Sequence, residues 1–231
     1  MQLSKRLGRV AANVQSGGVV ADIGCDHGFT SIYLIQQGLA SGAIAMDVNR
    51  GPLQRAAEHV QQYGLREKIQ LRLSDGLQEL APGEADTILI SGLGGALMAR
   101  LLEQGRDVVD EARELVLSPQ SEIFLVRRKI HELGYTIAWE EMVEDQKKYY
   151  VILRAVPGRE TYQEQEYFYG RKLIQEQDGV FREFLEKELV RLGEVELHIS
   201  GNTSSPQGKA RLKKCLEDKE NIRRLLNKME H

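Results

Sequence analysis

A chain of 231 residues, with 42% apolar and 28% charged residues, can bury a real core in one large domain or in one domain plus an extension. Its formal net charge of −3 excludes a global basic field, so any nucleic-acid surface has to be a local patch. No run approaches the ~18 consecutive apolar residues of a membrane span, and the N-terminal MQLSKRLGRVAANV lacks the apolar centre of a signal peptide. Cys25 and Cys215 suggest neither a disulfide framework nor zinc spacing, so the expectation is a cytoplasmic protein with no membrane and no metal partner.

In chain order, the N-terminal stretch reads as a short amphipathic helix. Val19–Ile23 reads as a strand, Thr30–Gln37 as a helix and Ala43–Asp47 as a second strand. Pro52–Tyr63 follows as a helix with proline inside its first turn. Lys68–Leu73 and Asp86–Ile90 are strands three and four, followed by a helix from Ala96 to Glu103. Glu114–Leu117 is strand five, followed by a helix from Ile123 to Leu133. Tyr135–Glu144 and Tyr149–Ala155 are β-rich and suit a hairpin-like pair closing the sheet. Strands separated by helical stretches predict βαβ units and a mostly parallel sheet. The strands are Val/Ile/Leu runs, which suits a sheet covered on both faces.

Composition shifts at Pro157-Gly158, which divides a domain of residues 1–157 from one of residues 158–231. Tyr162–Leu192 carries Leu173, Ile174, Phe181, Phe184, Leu185, Leu189 and Leu192 at helical spacing. GNTSSPQG (Gly201–Gly208) reads as a turn. Lys209–Met229 is a second helix with Leu212, Leu216, Ile222, Leu226 and Met229 on one side. Together they predict an antiparallel, coiled-coil-like helical hairpin.

The chemistry starts at VVADIGCDHGFTSIYLI. A glycine-rich turn between a strand and a helix is an anion or nucleotide site. A dinucleotide fold wants G-x-G-x-x-G, whereas Asp22 to Gly28 spells D-x-G-x-x-x-G, and Asp26 would set a carboxylate against a pyrophosphate. An acidic turn suits a ligand bearing an ammonium and a sulfonium, which S-adenosylmethionine does. The second strand ends at Asp47, placed to accept both ribose hydroxyls. Ser74-Asp75-Gly76 follows strand three, and its carboxylate can accept from the adenine amine. Ser91-Gly92-Leu93-Gly94-Gly95 follows strand four and leaves room for a ligand. The candidate cofactor residues are Asp22, Gly24, Cys25, Gly28, Asp47, Val48, Asn49, Ser74, Asp75, Gly76, Gly92 and Leu93, with Cys25 read as a small packing residue.

DIGCDHG, DVNRGPL, RLSDGL, ADTILISGLGG, LSPQSE and KKYYVI together resemble the bacterial tRNA (adenine-22 N1)-methyltransferase family, along essentially the whole chain. The resemblance implies a Rossmann-like class I methyltransferase sheet with a C-terminal helical hairpin. It also implies S-adenosylmethionine as methyl donor and N1 of adenine 22, in the D-loop region of tRNA, as acceptor. Carried over by position, Asp22, Gly24, Asp47, Asp75 and Gly92 line the cofactor. The chain departs from the family pattern at Cys25 and Phe29, where serine and tyrosine are expected.

Enzymes that methylate exocyclic amines of bases often carry N/D-P-P-Y after strand four. SGLGG has neither the prolines nor the aromatic, which favours a ring nitrogen as acceptor. Such a nitrogen has its own lone pair and needs positioning more than a base. Methylation leaves a cation, which makes Asp26 the candidate stabilising carboxylate and His27 the candidate proton shuttle. The target base must be exposed or flipped, and Phe29, Tyr149 and Tyr150 are the candidate stacking rings. Gln120, in the turn after strand five, lies where a substrate base is expected. Candidate phosphate contacts are Lys5, Arg6 and Arg9, the Arg127-Arg128-Lys129 run, Lys147-Lys148, and Lys209 and Lys213 on the last helix. From Lys209 to Lys228 eight Lys/Arg face three Asp/Glu, enough for a local basic face. Methylation of another RNA or a small molecule, and non-catalytic binding of cofactor and RNA, stay open on the residues alone. The oligomeric state stays open between monomer and weak dimer.

Overall fold

The computed structural model describes residues 1–200 and 205–229. They form two compact units, Met1–Arg171 and Lys172–His231.

The first unit is a seven-stranded sheet in the order β3-β2-β1-β4-β5-β7-β6. β1 (Val19–Ile23), β2 (Gly42–Asp47), β3 (Ile69–Leu73), β4 (Thr87–Ser91) and β5 (Glu114–Ser118) run parallel. β6 (Tyr135–Asp145) and β7 (Lys148–Pro157) are a hairpin, and β7 joins β5 antiparallel. The apolar runs become strands buried on both faces: β1, β2, β4 and β5 are almost wholly inaccessible. The helices α1 (Lys5–Ala12), α2 (Phe29–Gln36), α3 (Arg50–Gln62), α4 (Gly95–Gln104), α5 (Arg106–Val109) and α6 (Ile123–Glu132) cover the sheet. Ser4 caps α1, its hydroxyl accepting from the Leu7 amide at 3.3 Å, and Val10 and Ala11 bury themselves in the core. The one-turn α5 was not legible in the sequence pattern.

The stretch Tyr162–Leu192 is not one helix. It forms α7 (Glu164–Tyr169), α8 (Arg171–Gln175) and the start of α9 (Gly179–Ser200). The breaks fall where the backbone turns left-handed, at Gly170 (φ 88°) and Gln177 (φ 51°). Residues 201–204 of the expected turn lie outside the described residues. Pro206, Gln207 and Gly208 belong to the last helix, α10 (Pro206–Lys228), and Ser205 caps it, its hydroxyl accepting from the Gly208 amide at 3.0 Å.

Within the second unit α9 and α10 pack on heptad seams. Leu185, Leu192 and Ile199 are buried on one helix, and Cys215, Ile222 and Met229 on the other. The Cys215 thiol donates to the Leu192 carbonyl at 3.3 Å, and Lys219 pairs with Glu196. Leu216, expected on the buried side, is 46% exposed; the seam passes through its neighbour Cys215 instead. No helix among the described residues is long and apolar enough to cross a membrane.

Candidate active site

The chain leaves β1 toward β2 and β3 on one side, and β4 leads to β5 on the other. The carboxyl ends of β1 and β4 therefore flank a topological switch point, where open α/β sheets hold their ligands. A cavity of about 460 Å³ lies there. Its wall is built from the turns after β1, β2, β3 and β4, with Gln120, Arg6 and Leu7 of α1, and Leu97 and Leu101 of α4.

Asp22, near the end of β1, is 3% exposed and accepts from the Ser31 hydroxyl at 2.7 Å. Burial pushes its carboxyl up to about 6, against the opposing pull of the Ser31 hydrogen bonds and with a smaller push from Asp47. The turn then reverses at Gly24 (φ 74°), and Gly24 and Cys25 donate to the Met46 carbonyl at 2.8 and 2.9 Å, tying the turn to β2. Asp47 is buried at the end of β2. Its Oδ1 accepts from the Asn49 amide at 2.8 Å and its Oδ2 from the Asp26 amide at 3.4 Å, so the carboxylate is fixed at the cavity wall. After β3, the Ser74 hydroxyl donates to the Gly76 carbonyl at 2.9 Å and shapes the turn that presents Asp75. The turns after β4 and β5 are laced together: Gly92 donates to the Ser118 carbonyl (3.0 Å), Gln120 to that of Leu93 (2.9 Å) and Gly95 to that of Ser121 (3.0 Å). This lacing brings Gln120 into the wall.

Eleven of the twelve candidate cofactor residues line the cavity, as do Asp26, His27, Phe29 and Gln120. The exception is Gly28, which packs: a Cβ there would stand 3.2 Å from that of Ala56, so its bareness lets α2 approach α3. Burial and the nearby carboxylates of Asp22, Asp47 and Asp26 drive the Cys25 thiol far up, so it stays protonated and is no nucleophile. Asp26 and His27 sit at the rim beside α3. Asp26 approaches His27 at 3.6 Å and Arg55 at 3.7 Å, and the His27 carbonyl faces the His59 ring nitrogen at 3.0 Å. Phe29 stacks on His59 at 4.5 Å and beside His27 at 5.7 Å.

Several expected substrate contacts lie elsewhere. Arg127 is 1% exposed and does not face solvent. It pairs with the buried Glu140 at 2.7 Å and donates to the carbonyls of Tyr167 and Phe168 at 2.7 and 2.9 Å, so it is a structural ion pair and not a phosphate contact. Arg128 pairs with Glu164 and covers the Tyr167 ring at 4.6 Å. Tyr149 and Tyr150 are outside the wall, and the Arg6 guanidinium covers the Tyr150 ring at 5.0 Å. Lys5 and Arg9 are both exposed on α1, and Arg9 pairs with Glu141. Lys209 and Lys213 are exposed on α10, and Lys213 lies 3.8 Å from Glu217. Arg6, Leu7, Leu97 and Leu101 also line the cavity, yet no local motif marks them; only the amphipathic pattern of α1 and the apolar face of α4 hint at an inward side.

Four aspartates on the wall, Asp22, Asp26, Asp47 and Asp75, make a cavity that repels phosphates and attracts a cationic nucleoside. A family model described as a methyltransferase domain matches residues 3–153. The tRNA (adenine(22)-N(1))-methyltransferase of Bacillus subtilis (strain 168) is 33% identical over 233 residues, covering 98% of each chain. This chain belongs to the tRNA (adenine(22)-N(1))-methyltransferase family. The crystal structure of the B. subtilis m1A22 tRNA methyltransferase superposes with a TM-score of 0.88 at 32% identity, over 97% of this chain and 99% of that one. A Streptococcus pneumoniae protein solved in complex with S-adenosyl-L-methionine gives a TM-score of 0.88 at 30% identity, over 97% of this chain and 100% of that one. The likeness of this m1A22 methyltransferase family member to its relatives thus spans both units and is not confined to the common sheet.

Proposed function

We propose that the protein methylates N1 of adenine 22 in tRNA, with S-adenosylmethionine as donor. The observation that carries this is the acidic cavity at the β1/β4 switch point, in a chain that matches a tRNA (adenine(22)-N(1))-methyltransferase end to end.

When bound, S-adenosylmethionine supplies an electrophilic methyl group on a sulfonium. In this chain Asp75 accepts from the cofactor's adenine amine, Asp47 from its ribose hydroxyls, and Asp22 offsets the charge of its ammonium. The turn Ser91–Gly95 presents little side chain, and Gln120 stands beside it, so an acceptor base can enter there. The acceptor N1 carries its own lone pair, so the site's work is orientation and exclusion of water. Asp26 balances the cation left on the methylated base, and His27 takes up the proton lost when that base returns to its neutral form. Phe29, stacked on His59, offers a ring face at the rim for an unstacked base. The basic side of α10, with Lys209 and Lys213, contacts tRNA phosphates in the cytoplasm.

The test is nucleoside mass spectrometry of unmodified tRNA after incubation with the protein and S-adenosylmethionine. The expected product is 1-methyladenosine at position 22. Methyl groups found only on small molecules, or on an exocyclic amine, would overturn the reading.

A further inference from the structure

Among the described residues lining the cavity, Arg6 is the one lysine or arginine, against the four aspartates. Its main chain is pinned at the start of α1, where the amide donates to Asp145 Oδ2 at 3.0 Å. Its side chain reaches across to β4: Nη1 donates to the Ser91 hydroxyl at 2.8 Å, and the plane lies over Tyr150. A Cβ placed on Gly92 would stand 3.8 and 3.9 Å from the two terminal nitrogens, and 3.7 Å from Gln120 Nε2. The guanidinium therefore sits over the bare turn after β4. Its charge is felt by Asp145, which accepts from the Arg6 amide, but the guanidinium forms no salt bridge and no other side-chain hydrogen bond among the described residues. A guanidinium cannot shed its proton, and it has five N–H donors. A partly buried cation with donors to spare, held in place by a hydroxyl and a ring, is arranged for an anion.

The inference rests on S-adenosylmethionine as cofactor. That molecule carries three charges, a sulfonium, an α-ammonium and an α-carboxylate. The aspartates answer the first two, and none can answer the third. The strand order supplies the direction. Asp75, Asp47, Asp22 and the Arg6–Ser91 pair stand at the ends of β3, β2, β1 and β4, which are neighbours in that sequence. With adenine at Asp75 and ribose at Asp47, the amino-acid end falls at β1 and β4. We propose that Arg6 is the counter-charge for the cofactor's α-carboxylate, with Ser91 and Tyr150 fixing the guanidinium and Asp22 taking the ammonium beside it. An RNA phosphate is the competing anion, and the experiment separates the two.

Calorimetry would compare S-adenosylhomocysteine with its decarboxylated analogue, 5′-S-(3-aminopropyl)-5′-thioadenosine, on the full chain and on Arg6→Ala and Arg6→Lys. Loss of a charge-assisted contact predicts that decarboxylation weakens binding to the unaltered protein by about ten- to a hundredfold. Arg6→Ala should weaken S-adenosylhomocysteine by a similar factor and leave the analogue nearly unchanged. Arg6→Lys should recover part of the preference for the carboxylate. Equal loss of both ligands in Arg6→Ala would make Arg6 merely structural. Unchanged affinity for both, with a raised KM for tRNA, would assign it to an RNA phosphate. Either result overturns the proposal. If Arg6→Ala fails to fold, the unaltered protein and Arg6→Lys still decide it. Failure of the unaltered protein to bind S-adenosylhomocysteine at all would instead sink the cofactor reading.

Discussion

The Ser31 hydroxyl donates to the Asp22 carboxylate at 2.7 Å, and both side chains are buried under the turn that opens α2. This carboxyl is pushed up to about 6 from its ordinary 3.8 by burial, and the hydrogen bonds from Ser31 keep it from rising further. The native state without ligand therefore holds this proton more tightly than the unfolded chain. The stabilisation it contributes is full below the ordinary value and is lost as pH rises through about 6. A cationic ligand reverses the preference, because it needs the ionised form. Cofactor binding is expected to weaken as pH falls through about 6, by up to tenfold per pH unit, with proton release on binding in that range. Titrating S-adenosylhomocysteine calorimetrically from about pH 5 to pH 8, in buffers of different ionisation heat, checks it. Ser31→Ala should move the transition to higher pH. A pH-independent affinity would contradict the pairing of Asp22 with the ammonium.

That much of the site could be read from local spacing, because Asp22, Asp47 and Asp75 each lie at or within two residues of the end of the apolar run that becomes a strand. What could not be read depends on distant partners. Arg127 looks like one member of a basic triplet, and only Glu140 and the carbonyls of Tyr167 and Phe168 reveal it as buried. Arg6 looks like one charge on an amphipathic helix, and its role comes from Ser91 and Tyr150, both far away in sequence. Gly28 looks like a ligand glycine, yet its bareness answers Ala56 on the neighbouring helix. Apolar periodicity likewise runs unbroken through Tyr162–Leu192, because the left-handed residues at Gly170 and Gln177 break the helix without altering the pattern.

The last glycine of SGLGG is a packing requirement. A Cβ on Gly95 would stand 2.4 Å from the Ser121 carbonyl oxygen and 2.6 Å from that of Glu122. Both are backbone atoms and cannot swing aside. Gly95→Ala must push the β5–α6 turn away from α4 and loosen the lacing that places Gln120. The expected cost is about 1–3 kcal/mol of stability. S-adenosylhomocysteine affinity should fall less than turnover on tRNA, because Asp22, Asp47 and Asp75 stand at the ends of β1, β2 and β3 and only Ser91, Gly92 and Leu93 lie on the loosened side. Denaturant melts and steady-state kinetics check both halves, and equal losses in binding and turnover would show that the lacing serves the cofactor instead.

Arg127 predicts the opposite profile from a phosphate contact. Removing it takes from the buried Glu140 the guanidinium it pairs with at 2.7 Å. Arg127→Ala is expected to lose about 3–5 kcal/mol of folding stability. Replacing both partners with apolar residues, Arg127→Met with Glu140→Leu, should cost much less, since no buried charge is left alone. Urea denaturation of the single and double variants measures the difference. A fully stable Arg127→Ala with weakened tRNA binding would restore the RNA role and contradict the buried pair.

The same contacts say where the chain can be cut. Residues 160–171 belong to the first unit: Arg127 donates to carbonyls of α7, and Glu160 Oε1 accepts from the Ile137 amide at 2.7 Å and lies 3.2 Å from the His131 ring. A chain ending at Arg171 keeps all of these, whereas one ending at Arg159 takes the Tyr167 and Phe168 carbonyls from Arg127, which keeps Glu140, and takes the Glu160 carboxylate from the Ile137 amide, at about 1–3 kcal/mol for each buried group. The longer fragment is expected to melt as a cooperative unit and bind S-adenosylhomocysteine like the full chain, while the shorter one melts markedly lower. If α9 and α10 supply phosphate contacts, the longer fragment should also bind tRNA more weakly and with a shallower dependence on salt, because fewer counterions are released. Calorimetric melts and salt-dependent tRNA titrations of the two fragments test both statements, and undiminished tRNA affinity in the longer one would remove the helical pair from the RNA-binding surface.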